Sequence, residues 1–141
     1  MSKKGFTLIE LICTLAIFAV VVSTSLPYAV KIGDVRFRIA QRMLVSDIRY
    51  CQQLSDYTNT NHRIIFSSRS YSISRGVYVI KTVSLPYGVK LSVISGSNTI
   101  EFDGNGTPKG VYGAGCTLKL LYKDRIAVLT IRPVTGRVMV K

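Results

Sequence analysis

The residue in the most unusual chemical setting is Glu10, which lies inside the apolar run 6–22. A lone carboxylate within such a run is costly at membrane depth unless a cation neutralises it. No Lys or Arg lies between Gly5 and Lys31, so the segment has no side-chain cation of its own. Cleavage after Gly5 would supply one. The new α-amino group of Phe6 would lie four residues before Glu10 and could pair with it, within one helix or between neighbouring helices.

The same run has the length of a membrane-spanning helix. Lys3 and Lys4 precede it, and the positive-inside tendency places them in the cytoplasm and the rest of the chain across the bilayer. A basic start, an apolar centre and small residues at 23–25 also describe a secretory signal peptide, and a plain membrane anchor is a further alternative. A carboxylate inside the apolar region is unusual for either of these.

The string 4–10, Lys-Gly-Phe-Thr-Leu-Ile-Glu, resembles the prepilin cleavage and methylation signal of type IV pilins and pseudopilins. In that family a prepilin peptidase cuts after the glycine and methylates the new amine. The resemblance therefore implies processing at Gly5 and Phe6, an assembly role for Glu10 through pairing with that amine, and a helix kink at Pro27.

The resemblance also implies the surroundings of the chain. Other pilins or pseudopilins, the prepilin peptidase, an assembly-platform membrane protein and the lipid bilayer are the expected partners. The expected location is the bacterial cytoplasmic membrane, crossed once, with the C-terminal head outside the cytoplasm and incorporated into a pilus or pseudopilus.

Helical periodicity resumes after the apolar run. Pro27 removes a backbone donor, so it is expected to bend the helix rather than end it. Apolar residues then recur at spacings of three and four, which predicts one buried helix face: Phe37, Ala40, Leu44, Ile48, Cys51 and Leu54. The polar string 58–61 is expected to end the helix.

The remainder of the chain is typical of an antiparallel sheet. Eight short segments rich in β-branched or alternating residues predict strands: 63–66, 70–74, 77–83, 89–94, 99–102, 117–122, 126–131 and 138–140. Lys123 and Asp124 predict a tight hairpin. The predicted organisation is a leader at 1–5, a transmembrane helix at 6–26, an amphipathic helix at 27–60 and a β-rich head at 61–141. The predicted fold class is α+β and pilin-like, with a long N-terminal helix packed on an antiparallel sheet.

The head resembles the GspH/FimT family of minor pseudopilins in a few short strings. These are the strand and glycine-rich turn at 100–108, the apolar strand 127–131, the turn 135–138 and the helix end 47–52. The resemblance implies a structural subunit of a type II secretion, type IV pilus or competence pseudopilus. A competence pseudopilin, which shares the leader and the size class, is a close alternative.

The charge of the head suggests a second function. The chain carries a net charge of +12, and only three acidic residues follow residue 62. Such an excess favours an acidic partner, whether nucleic acid, an anionic membrane face or a neighbouring subunit, although it also describes a merely solvated basic surface. Some members of the resembling family bind DNA through a basic C-terminal region. The candidate DNA-binding residues are Arg132, Arg137 and Lys141 near the C-terminus, and Lys119, Lys123 and Arg125 around the hairpin.

No set of residues predicts catalysis, a cofactor or a metal site. His62 is the only histidine and is expected at a solvated strand edge. Glu101 and Asp103 are expected on one face of a strand, paired with cations or, for Asp103, capping a turn. Cys51 and Cys116 could form a disulfide if the head faces an oxidising compartment. The interpretation is a non-enzymatic assembly subunit.

Overall fold

The computed structural model describes residues 7–109 and 115–141, and of these the side chains of 25–32 are left undescribed. The chain divides into two compact units, Met1–Val35 and Arg36–Lys141. Gly5 and Phe6 lie outside the described residues.

One helix, α1, spans Leu8–Thr58 and continues through Pro27, so this proline does not end it. The helix ends inside the polar string predicted to stop it. Asn59 adopts a left-handed φ of 49°, and the N–H of Thr60 donates to the carbonyl oxygen of Ser55 at 3.3 Å. Across the described residues, no helix is both long enough and apolar enough to cross a membrane.

The head contains nine strands among the described residues. They are β1 (His62–Phe66), β2 (Ser70–Arg75), β3 (Tyr78–Ser84), β4 (Lys90–Ser95), β5 (Thr99–Phe102), β6 (Pro108–Lys109), β7 (Cys116–Tyr122), β8 (Arg125–Ile131) and β9 (Val138–Val140). Eight of them match the predicted segments to within about one residue at each end. The short β6 was not predicted.

These strands form two sheets. The first has the order β3-β2-β1-β5-β6 and the second β4-β7-β8-β9, and every neighbouring pair is antiparallel. The chain enters the second sheet for β4, returns to the first for β5 and β6, and leaves it again for β7. Strand patterns reveal alternation along one strand but not the sheet that the strand joins, so the sequence could not predict this division.

One core holds the second unit together. The α1 residues predicted to form its apolar face, from Phe37 to Cys51, are buried, while Leu54 is half-buried. They pack with the inward side chains of both sheets, including Ile64, Phe102 and Leu118. The hairpin predicted at Lys123 and Asp124 is confirmed, since Tyr122 pairs directly with Arg125.

Candidate functional site

Glu10 lies in the first turn of α1 and is exposed. Its backbone N–H donates to the hydroxyl of Thr7 at 3.4 Å and to the carbonyl oxygen of Thr7 at 3.1 Å. Thr7 is therefore the N-cap, and the spacing Thr-x-x-Glu is that of a capping box. Sequence reasoning missed this local role although the signal was present. The bond uses the backbone of Glu10, so its carboxylate stays available for another partner.

The first unit exposes apolar side chains all around its helix. Every side chain from Thr7 to Thr24 is exposed, and large ones such as Leu8, Ile17 and Phe18 are 76%, 65% and 70% exposed. An exposed helix surface with this many large apolar side chains favours apolar surroundings, such as neighbouring helices or lipid. Glu10 is the one charged side chain among these eighteen residues. Pro27 lies inside α1, and its predicted kink stays a prediction.

A buried polar cluster joins α1 to the first sheet, and sequence reasoning did not find it. Asp47 on α1 is 7% exposed. Its Oδ2 accepts a hydrogen bond from the Tyr71 hydroxyl at 2.6 Å, and its Oδ1 accepts one from Lys81 Nζ at 2.6 Å. Tyr71 is 1% exposed, and its pKa is raised because it is buried and because it bonds to the Asp47 carboxylate. Asp47 therefore fastens the helix to both β2 and β3.

A second side chain of α1, Gln52, holds two loops. Its Nε2 donates to the carbonyl oxygen of Gly106 at 2.8 Å and to that of Thr135 at 3.1 Å. Gly136 has a φ of 64°, and a Cβ there would lie 2.8 Å from the same Nε2. A larger residue at 136 would displace Gln52, so this glycine is needed for both its backbone conformation and the close approach.

The cysteines do not form the disulfide that the sequence left open. Cys51 and Cys116 are both free and buried. Each thiol belongs to the packed core, and the Cys116 thiol donates to the carbonyl oxygen of Ser97 at 3.4 Å. Burial raises the pKa of Cys51 to about 12 and that of Cys116 to about 11, which suppresses the reactive thiolate.

His62 and Asp103 have structural roles. The prediction of a solvated edge position for His62 is wrong: it is 2% exposed, and β1 lies between β2 and β5. Its Nδ1 donates to the carbonyl oxygen of Thr60 at 3.0 Å. Asp103 caps a turn as predicted, accepting from the N–H groups of Asn105 and Thr107 at 3.0 and 2.9 Å. Within the described ranges, no group of His, Cys, Asp and Glu is placed to hold a metal ion.

The six predicted basic residues lie at three positions along the length of the second sheet, two residues at each position. Lys123 and Arg125 lie at the β7–β8 hairpin, where Asp124 separates them. Arg132 and Arg137 pair at the opposite end of β8, since the N–H of Arg132 donates to the carbonyl oxygen of Arg137 at 3.0 Å.

Lys119 and Lys141 lie between the hairpin and the pair Arg132 and Arg137, in one cross-strand row. Lys119 pairs with Val128, and Val128 exchanges two backbone hydrogen bonds with Lys141. The structure thus groups Lys119 with Lys141 rather than with the hairpin. Both side chains lie on the face opposite the buried Leu118 and Leu129, because side chains alternate along a strand.

Comparisons with known proteins agree with these observations. Residues 1–26 match the family described as the prokaryotic N-terminal methylation motif. No curated protein matches the chain in sequence.

The structure is similar to the crystal structure of the type IV minor pilin FimU of Pseudomonas aeruginosa strain PAO1. In one crystal form the TM-score is 0.64 at 15% identity, over 74% of this chain and 87% of that chain. In a second form it is 0.61 at 15% identity, over 74% and 91%. The predicted α+β, pilin-like fold is confirmed. The chain therefore combines a match to the N-terminal methylation motif with a fold similar to that of a type IV minor pilin.

Proposed function

We propose that the chain is a minor pilin or pseudopilin, a structural subunit of a type IV pilus, a type II secretion pseudopilus or a competence pseudopilus. The observation that carries this proposal is the fully exposed and largely apolar helix surface at 7–24, in which Glu10 is the one charged side chain. Such a surface suits lipid before assembly and neighbouring helices afterwards. The role is structural and involves no catalytic step.

In this proposal the prepilin peptidase removes residues 1–5. Before assembly, the chain resides in the bacterial cytoplasmic membrane with its head outside the cytoplasm. An assembly-platform protein then passes it to the other pilins. Glu10 pairs with the Phe6 amine of a neighbouring subunit and sets the axial register of the helices, because a buried carboxylate is stable only beside a cation.

Processing is the direct test of this proposal. In cells that contain a prepilin peptidase, we expect a mature chain that begins at N-methylated Phe6, measured by mass spectrometry of the N-terminal peptide. Gly5→Val should leave the chain at full length, because the peptidase requires a small residue before the cut. Ser2→Val makes a change of similar size within the leader and should leave cleavage intact. A mature start near Leu26 would instead identify a secretory signal peptide.

A second candidate function is DNA binding at the tip of the filament. What favours it is the cross-strand row of Lys119 and Lys141, with Arg132 and Arg137 further along the same sheet and no acidic residue in β7, β8 or β9. These cations extend along β8 at about 3.4 Å per residue, which suits contacts to successive phosphates.

The arrangement of these cations gives a matched test for DNA binding. We expect Lys119→Gln/Lys141→Gln to weaken binding of duplex DNA and to reduce the log–log salt slope by about 0.9 for each lost phosphate contact. Lys123→Gln/Arg125→Gln removes the same charge beside Asp124 and should have the smaller effect. Mobility-shift titrations of the full chain in detergent, at several salt concentrations, measure both. Equal losses from the two pairs would indicate a general charge effect, and no binding at low salt would leave only the assembly role.

A further inference from the structure

A groove of about 590 Å³ lies between the outward side of α1 and the edge strand β9. Its helix wall includes Arg42, Val45, Arg49 and Tyr50, and Val140 of β9 forms the opposite wall. Tyr50 and Val140 are each 42% exposed. The volume falls within the range of about 300–1,000 Å³ that is usual for ligand sites. All of these residues belong to the second compact unit.

The backbone N–H and C=O of Val140 point away from β8, toward the open edge of the sheet. Val128 of β8 and Lys141 exchange two hydrogen bonds, at 3.0 and 2.9 Å. In an antiparallel ladder such pairs alternate with pairs that exchange none. Val140, which lies opposite Leu129, is therefore in a non-bonded position, and its N–H and C=O point to the open edge. Because β9 is the last strand of its sheet among the described residues, this edge can accept another strand.

The groove is cationic. Arg42 and Arg49 are exposed, and neither forms an ion pair with any described residue. They lie seven residues apart on α1, which places them about 10.5 Å apart along the helix axis. None of the side chains that line the groove is a carboxylate. A second copy of this chain, with its own net charge of +12, would be repelled.

We propose that this groove binds an extended acidic segment of another protein, which adds to β9 as a further strand. Backbone hydrogen bonds to Val140 provide the pairing. Side chains alternate along a strand, so every second residue of the segment faces α1. Among these residues an apolar side chain contacts Val45 and Tyr50, and carboxylates on either side of it pair with Arg42 and Arg49. Addition of a strand beside a helix combines backbone affinity with side-chain specificity. This site lies outside the exposed apolar segment 7–24 and does not depend on the assembly role proposed above.

A short fluorescent Glu-Val peptide with the repeat Glu-Ser-Val-Ser is the probe, because its Glu and Val side chains all lie on one face of a strand. Its anisotropy is measured with the full chain in detergent at low salt. Arg42→Gln/Arg49→Gln should weaken binding about tenfold or more, because charge-assisted hydrogen bonds are lost. Val140→Pro should weaken it to a similar extent. Proline removes the outward N–H while leaving the β8–β9 bonds in place, and edge strands tolerate it.

Two controls separate strand addition from simple charge attraction. Arg69→Gln/Arg75→Gln removes two cations beside the first sheet and should change the affinity by less than about threefold. A peptide of the same charge with prolines in place of the valines lacks the N–H groups of those α1-facing positions and should bind far more weakly, a test that holds even if Val140→Pro fails to fold. Equal binding of the two peptides would overturn the proposal, as would equal losses from both arginine pairs or no binding of the Glu-Val peptide at low salt.

Discussion

Replacing Asp47 by Ala is expected to lower the free energy of unfolding of the head by about 3 kcal/mol. The loss has two sources. The Tyr71 hydroxyl, which is 1% exposed, would have no acceptor in a dry site. The ion pair with Lys81 would also be lost, although the side chain of Lys81 is 44% exposed and can turn to solvent, so this source is the smaller one. For a domain of this size the change corresponds to a fall of roughly 13 °C in Tm.

Thermal unfolding followed by circular dichroism measures this effect. Asp56→Ala removes an exposed carboxylate from the same helix and should change stability by less than about 0.5 kcal/mol. In a double-mutant cycle, Tyr71→Phe should recover part of the loss in the Asp47→Ala background, because it removes the unsatisfied hydroxyl. Additive effects of the two substitutions would show that the hydrogen bond contributes nothing to stability.

Glu10→Ala is expected to abolish most incorporation of the chain beside other pilins while leaving insertion into the bilayer intact. The substitution removes a charge from an apolar helix, which favours insertion. It also leaves the amine of a processed neighbour without a partner, and an uncompensated buried charge costs about 3–5 kcal/mol. Co-purification with partner subunits from detergent-solubilised membranes should therefore fall by more than about tenfold.

The start of α1 supplies the control for this experiment. Thr7 caps the helix through the backbone N–H of Glu10, which alanine retains, so the helix should begin at the same residue in the variant. Thr7→Ala removes the cap and keeps the carboxylate, and it should cost only about 1 kcal/mol of helix stability with assembly preserved. If Glu10→Ala co-purified as well as the unsubstituted chain, the carboxylate would have no part in setting register.

Local features of the fold could be predicted from the sequence because they depend on neighbouring residues. The end of α1 and the β7–β8 hairpin lie where the polar string 58–61 and the pair Lys123 and Asp124 placed them. The division into two sheets depends on which distant strands meet, and β-branched alternation is the same in both. His62 was misplaced for the same reason, since nothing near it in sequence shows that β5 covers the open side of β1.

The candidate site shows the same contrast. Glu10 stood out because a charge in an apolar run is visible in sequence, whereas Asp47 resembled one more polar residue on an amphipathic helix. Its partners Tyr71 and Lys81 lie on two other strands, and only the folded chain brings them together. Lys119 was grouped with the hairpin by its number, but strand pairing places it in a row with Lys141.

The alternation of the chain between the two sheets has a consequence for its synthesis. Once β6 has been made, all five strands of the first sheet are available, but β4 still lacks β7, its partner in the second sheet. Until the last third of the head is present, an unpaired strand and one half of an apolar core remain exposed. Chains whose synthesis stops between β6 and β9 are expected to aggregate. Pairing between such distant strands is also slow, so folding of the complete head should take milliseconds to seconds. A cell that makes this protein would therefore gain from holding the nascent head until β9 has been added.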